Sequence, residues 1–336
     1  MGSCGGRIRK SDDYPTSTRG PMTAPRAFAR DPPSDASVAE LIRFGAAEFE
    51  HAGLAFGHGT DTALDDAAAL VFHALGLDHD RAAEAYELRP NASARAAVLA
   101  LFAERIGRRI PSAYLMGRMW FAGLEFEIDL RVIVPRSPFA ELILASFRPW
   151  VDPDRVRRVL DLGTGSGCIA IACALALPHA SVDAVDISPE ALEIARRNVA
   201  RHNVADRVQL LAGDFYAPVF GRRYDLILSN PPYVSDAEMA QLPAEYAHEP
   251  ELALRAGPDG LHAARRILAG AARHLEAGGT LFVEVGDSDV RLETAFPELP
   301  FVWLQFEQGG GGVCRLTRTE LEANDAVLKR RSKHVG

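Results

Sequence analysis

The apolar run Val159-Leu160-Asp161-Leu162 leads directly into Gly163-Thr164-Gly165-Ser166-Gly167, and a helix-forming stretch opens at Cys168. Three glycines in five residues let the chain turn sharply and bring bare backbone close to a ligand. The same grammar then repeats. Ser181–Asp186, Val208–Ala212, Asp225–Ser229 and Thr280–Val285 read as short buried strands, with helical stretches over 167–177, 189–202 and 261–275. Strands alternating with helices imply an α/β fold, a Rossmann-like parallel sheet covered on both faces. Phe301–Glu307, the glycines from Gly309 to Gly312 and Val313–Thr317 read as a closing antiparallel β-hairpin.

The glycine spacing here is G-x-G-x-G, and Asp161 stands two residues ahead of the first glycine. A carboxylate at that place repels a pyrophosphate but attracts the ammonium group of a methionine moiety, so S-adenosylmethionine fits better than a dinucleotide. Asp186 ends the next strand, where an acidic residue takes hydrogen bonds from ribose hydroxyls. An N-cap role beside Ser188-Pro189 is the plainer alternative. Asp214 and Phe215 follow the third strand and are expected to edge and stack on the adenine. The cofactor set expected from the sequence is thus Asp161, Gly163, Thr164, Gly165, Ser166, Gly167, Asp186, Asp214, Phe215 and Asn230.

The fourth strand runs into Asn230-Pro231-Pro232-Tyr233. Paired prolines hold the chain extended and remove two backbone donors, which leaves carbonyls as pure acceptors. An NH₂ group has two protons to hand over, and the Asn230 side-chain oxygen and the Pro231 carbonyl can take them while Tyr233 offers a flat apolar face. An amide nitrogen is a poor nucleophile, so orientation, worth roughly 7–11 kcal/mol in favourable cases, and preorganised acceptors must supply the catalysis. These residues therefore point to methylation of a planar NH₂, with Asn230, Pro231, Pro232 and Tyr233 as the catalytic set.

Residues 1–33 are rich in Gly, Pro, Ser, Thr and Arg and read as a disordered extension carrying six basic and three acidic side chains; the rest of the chain then holds −11 of the overall −8 formal charge. So acidic a body argues against direct nucleic-acid binding, which rests on neutralising phosphates, and favours a basic protein partner. Four scattered cysteines, Cys4, Cys168, Cys173 and Cys314, form no disulfide framework and suit a reducing, cytoplasmic setting. The longest apolar stretch, Cys168 to Pro178, is far short of the roughly 20 residues a membrane helix needs. His58, His73 and His79 have no metal-ligand spacing, so no metal is expected.

Residues 34–110 read as a helical, substrate-recognition domain, with Val38, Leu41, Ile42 and Gly45 on one face and Ala97, Val98, Leu101, Phe102 and Ile106 on another. Thr60-Asp61 marks a helix start between them. Residues 111–150 are expected to hold a linker helix after Pro135-Arg136-Ser137-Pro138 and a hairpin, its strands Trp120–Ile128 and Val132–Val134 separated at Asp129. The catalytic domain then covers 151–320 and a tail 321–336. The Pro- and Glu-rich insert 234–259 suits either a pocket wall or a solvated loop.

The run from Asp161 to Gly167 followed by Asn230-Pro231-Pro232-Tyr233 resembles the glutamine N5-methyltransferases, which act on protein-synthesis factors. The resemblance covers roughly 35–320 and implies a class I S-adenosylmethionine methyltransferase fold, with Gly163 to Gly167, Asp186, Phe215 and Asn230 on the cofactor and Asn230 to Tyr233 on the glutamine. Pro135-Arg136-Ser137-Pro138, Gly57-His58-Gly59-Thr60-Asp61, Trp120 to Phe126 and His248 to Leu254 are similar to the branch that methylates large-subunit ribosomal protein L three rather than a release factor. Release-factor enzymes often carry tryptophan where Phe215 stands. The rival readings are a release-factor enzyme, a methyltransferase of exocyclic amines in nucleic acid, a NAD-binding dehydrogenase and a non-catalytic interaction protein.

Overall fold

The computed structural model describes residues 28, 32–78, 81–307 and 309–332. Cys4, His79, Lys333 and most of the expected N-terminal extension lie outside the described residues. The first unit comprises α1 (Val38–His51), α2 (Ala63–Leu75), α3 (Ala82–Ala85), α4 (Ala92–Arg108) and α5 (Ser112–Met116). Side chains start the long helices: Ser37 and Glu40 form a capping box on α1, and Thr62 and Asn91 cap α2 and α4. The cap of α2 is thus Thr62 rather than the Thr60-Asp61 pair, because the Thr60 hydroxyl is committed to Asp66 at 2.8 Å. The apolar stripes of α1, α2 and α4 bury one another, with Leu41, Phe49, Leu70 and Phe102 at the centre.

Next come β1 (Arg118–Phe121) and β2 (Leu124–Glu127), an antiparallel pair. The expected hairpin across Asp129 is corrected: the reversal is at Ala122-Gly123, both at positive φ (49° and 76°), as a two-residue turn requires. Val132 and Val134 pair with no strand. They are buried instead against Ala191 and Ile194, while Asp129 accepts from the Arg131 amide and guanidinium to shape the loop. A short α6 (Phe139–Leu144) follows Pro138.

The remaining elements are β3 (Arg158–Leu162), α7 (Cys168–Ala176), β4 (Ser181–Asp186), α8 (Pro189–Arg201), β5 (Val208–Ala212), β6 (Tyr224–Ser229), α9 (Asp236–Met239), α10 (His262–His274), β7 (Leu275–Glu284), α11 (Asp289–Ala295), β8 (Val302–Trp303), β9 (Val313–Thr317), α12 (Arg318–Ala323) and α13 (Asp325–Ser332). The seven strands form one sheet in the order β5-β4-β3-β6-β7-β9-β8. The first five are parallel, and β9 and β8 close the sheet antiparallel, as the alternation and the terminal hairpin predict. One core lies between the sheet, α6 and α7, and a second between the other face, α10 and α11. Leu321 and Leu328 bury α12 and α13 in that second core, so residues through Ser332 are packed helix. No helix among the described residues is long and apolar enough to cross a membrane.

Charge, rather than apolar contact alone, joins the helical unit to the sheet unit. Arg105 of α4 is 1% exposed. Its guanidinium donates to Asp66 Oδ2 and to the Ala55 carbonyl, both at 2.8 Å, and lies 3.5 Å from Glu245 Oε1. The same Glu245 oxygen takes the Ala55 amide at 3.0 Å and pairs with Arg109 at 2.9 Å. Beside this cluster the His58 ring lies 4.4 Å from that of Tyr246 at a tilt of 57°, buried, and without a hydrogen-bond partner on either nitrogen among the described residues. Burial holds its pKa down at about 4 despite the attraction of Glu249.

Removing one member of a buried ion pair leaves the others charged and unsolvated, at a cost of about 3–5 kcal/mol. Arg105→Ala should therefore lower the denaturant midpoint strongly, and a midpoint within error of wild type would show that the cluster is dispensable. For His58 the unfolded ring takes up a proton below about pH 6.5, whereas the folded ring refuses it down to about 4. The unfolded state therefore binds more protons across that window, and this residue's contribution to stability falls as the pH falls. The full loss is on the order of 3 kcal/mol. His58→Gln removes it, so the stability of this variant relative to wild type should rise between pH 7 and pH 4. A pH-independent difference would refute the neutral buried ring.

Candidate active site

The glycine turn leaves β3 with Gly163, Gly165 and Gly167 at φ 75°, 54° and 82°, a region in which a side chain is strained. Two features hold it. The amides of Gly163 and Thr164 donate to the Val185 carbonyl at 2.9 and 3.0 Å, and the Gly165 amide donates to Asp186 Oδ2 at 2.8 Å. Asp186 takes the Ser188 amide on its other oxygen at 2.9 Å, while the Ser188 hydroxyl caps α8. The N-cap duty thus falls to Ser188, and the two Asp186 oxygens, with four lone pairs between them, keep capacity for a further donor beside the amides of Gly165, Ile187 and Ser188. Burial raises the Asp186 pKa in spite of these amides.

A cavity of about 380 Å³ opens at the carboxyl ends of the strands. Gly163, Gly165, Asp186, Asp214, Phe215, Asn230 and Pro232 all line it. A Cβ added at Gly163 or Gly165 would meet nothing within 4 Å, so the backbone there faces open space. The other nominated residues are placed away from this lining. Asp161 is wholly buried beneath the turn, with Oδ2 accepting from the Thr164 hydroxyl at 2.6 Å and Oδ1 without a partner among the described residues. Burial pushes its pKa up to about 7, against the Thr164 hydrogen bond and with the Asp186 charge adding to the rise. The Ser166 carbonyl accepts from the buried Asn198 amide at 2.9 Å. Gly167 packs toward Ala195 and Ile171. Pro231 is buried, and Tyr233 turns toward Gly286.

Asp214 and Phe215 share one partner that sequence reasoning did not nominate. Arg266 of α10 pairs with Asp214 at 2.6 Å, and its guanidinium lies 5.0 Å from the centre of the Phe215 ring. This fixes the floor of the cavity. A larger open groove of about 660 Å³ on the other side of Arg266 shares only that residue and His262 with the cavity and holds none of the nominated residues.

At the end of β6 the Ser229 hydroxyl donates to the Leu162 carbonyl at 2.7 Å, which locks this strand to β3. Asn230 then projects into the cavity with its amide making no hydrogen bond among the described residues. The insert is a wall: Pro250, Leu252, Ala253, Arg255, Ala256 and Gly257 line the cavity. It is tied down by backbone pairing of Val234 with Leu254 and Ala256 (2.9 and 2.8 Å) and by a two-pronged pair between Arg136 and Glu249 (2.5 and 2.7 Å). Glu249 also takes the Val134 amide at 3.1 Å. In sequence these glutamates look like those of a solvated loop; the only local signal is their company of prolines. Among the described residues no group of three potential metal ligands occurs.

A family model described as a methyltransferase small domain matches residues 141–249. The ribosomal protein uL3 glutamine methyltransferase of Xanthomonas campestris is 49% identical over 87% of this chain and 94% of its own length. Proteins of the same description from Xylella fastidiosa (50% identity, 86% of this chain and 92% of the relative) and Bordetella pertussis (46%, 85% and 96%) are similar to it. With the parallel sheet, the glycine turn and the Asn230 cavity already in place, likeness at this level over nearly the whole length shows that the chain belongs to the ribosomal protein uL3 glutamine methyltransferase family.

Proposed function

We propose that this protein transfers a methyl group from S-adenosylmethionine to the side-chain amide nitrogen, N5, of a glutamine in ribosomal protein uL3. The observation that carries the chemistry is the Asn230 amide, uncommitted and facing the cavity across from Asp186. The relatives' names supply the protein substrate. The residues present fit the cofactor: Asp186 has free lone pairs for ribose hydroxyls, Gly163 and Gly165 leave room at the turn, and Phe215 presents an aromatic ring. When bound, S-adenosylmethionine supplies an electrophilic methyl on a sulfonium. Asp161, buried under the turn, acts on it through the shape and field of the glycine backbone rather than by open contact.

The protein's own task is orientation. The Asn230 oxygen and the Pro231 carbonyl would accept hydrogen bonds from the two amide N–H groups, which points the nitrogen lone pair outward and stabilises the positive charge that develops as the N–C bond forms and the methyl–sulfur bond breaks, its electron pair staying on sulfur. Tyr233 braces that turn, and the departing proton passes to water. The helical residues 34–110 select the partner, joined by 111–150 to the catalytic residues 151–320. The acidic body attracts a basic protein, in a cytoplasmic setting, and no contact with nucleic acid is needed.

Labelled S-adenosylmethionine offered with uL3, release factors and ribosomal RNA in separate mixtures tests the substrate: label should enter uL3, at glutamine, and label only in RNA or only in a release factor overturns the proposal. Asn230→Ala should lose transfer by on the order of 10²-fold or more, as for removal of a preorganised polar group, while calorimetry still finds cofactor binding; a fully active variant refutes the acceptor role. Asp186→Ala should weaken cofactor binding in the same calorimeter. Unchanged affinity would remove the ribose contact.

A further inference from the structure

The loop that follows β5 carries the two residues expected to meet the adenine, and it holds one of them in an unfavourable shape. Phe215 has φ 46°, a left-handed conformation that a residue bearing a Cβ adopts only at a cost. Such a conformation persists where its surroundings fix it. Gly213 is packed so tightly on Pro218 that a Cβ there would come 2.8 Å from the proline ring, and the Ala217 amide closes back on the Asp214 carbonyl at 3.1 Å. These contacts shape the backbone of the loop but do not place its side chains.

Helix α10 does that. Tyr216 docks on it: the hydroxyl donates to the Ile267 carbonyl at 2.9 Å, the ring sits where Gly270 has no side chain, a Cβ there coming 2.3 Å from it, and the same ring stacks on His274 with centroids 4.6 Å apart. Arg266 reaches the other two residues. Its Nη2 donates to Asp214 Oδ2 at 2.6 Å, and its guanidinium carbon lies 5.0 Å from the centre of the Phe215 ring, within the range of a cation–π contact. One planar guanidinium thus fixes a carboxylate and an aromatic ring together, and all three residues line the cavity. The Arg266 side chain is 40% exposed, so filling a core is not its task.

We propose that Arg266 is a positioning residue for S-adenosylmethionine: by holding the Asp214 carboxylate and the Phe215 ring in one arrangement, it sets the place in which the adenine of the cofactor is received. This rests on the reading of the cavity as the cofactor site. An aromatic ring has two faces, so a guanidinium on one leaves the other for a base to stack on. Lysine could do only part of this work, since an ammonium can pair with Asp214 but has no planar face to lay on the ring.

Calorimetric titration of the full-length enzyme with S-adenosylmethionine, together with steady-state kinetics on purified uL3, tests it. Arg266→Ala should weaken cofactor binding by about 5- to 30-fold, equivalent to about 1–2 kcal/mol. The KM for the cofactor should rise in step while kcat at saturating cofactor stays within about twofold of wild type, the pattern of lost binding rather than lost chemistry. Arg266→Lys should recover part of the affinity. In a Phe215→Ala background, Arg266→Ala should cost clearly less than it does in wild type, because part of what it holds is gone; such non-additivity is the signature of a shared interaction. Wild-type affinity in Arg266→Ala, a loss confined to kcat, or the same fold-loss in both backgrounds overturns the proposal. Should the wild-type enzyme itself not bind S-adenosylmethionine, the reading of the cavity fails; if wild type binds it and Arg266→Ala binds it equally well, only the role of Arg266 fails.

Discussion

Strand β3 pairs in parallel with β4 on one side and β6 on the other, in a register that sets Leu162 beside Val185 and beside Ser229. The next residues along the three strands, Gly163, Asp186 and Asn230, therefore leave the sheet at one level. The strand order reverses at β3, and the crevice at such a point is where open α/β sheets bind ligands. Two hydrogen bonds preserve the alignment: Ser229 to the Leu162 carbonyl, and the Gly165 amide to Asp186. The residues proposed for cofactor and acceptor meet because three strand ends coincide.

A second constraint is electrostatic. Buried carboxylates act as fasteners between segments remote in sequence: Glu245 joins the helical unit to the insert, Glu249 joins the insert to the Pro135–Pro138 loop, and Glu284 joins that loop to the end of β7. Each has an arginine or a hydroxyl as partner, which is what makes a carboxylate tolerable in so dry a place. The wall of the cavity is thereby connected to the helices expected to choose the protein substrate. The same arrangement leaves His58 neutral among them, since the negative charge of Glu249 does not offset the ring's loss of water.

Much of this was legible in the chain. The alternation of strands and helices, the glycine turn, the order of Asp186, Asp214 and Asn230 and the terminal hairpin are local patterns, written in residues a few positions apart. Where local signals competed, the reading slipped. Val132–Val134 has the composition of a strand, yet a valine run is equally content against a helix, and α8 supplied the surface. Thr60 has the composition of a cap, but its hydroxyl was taken by Asp66.

Sequence by itself determined which elements form and which chemistry-bearing residues end up at the carboxyl edge of the sheet, because period and turn geometry are short-range properties. Tertiary structure alone decided which way those residues face: Asp161 inward under the turn, Asn230 into the cavity, Tyr233 toward Gly286. It alone revealed Arg266 beside Phe215 and the insert as a wall. The reason is that a polar side chain's role depends on its partner, and partners such as Ser137 and Glu284 stand 147 residues apart, where no local pattern records the pairing.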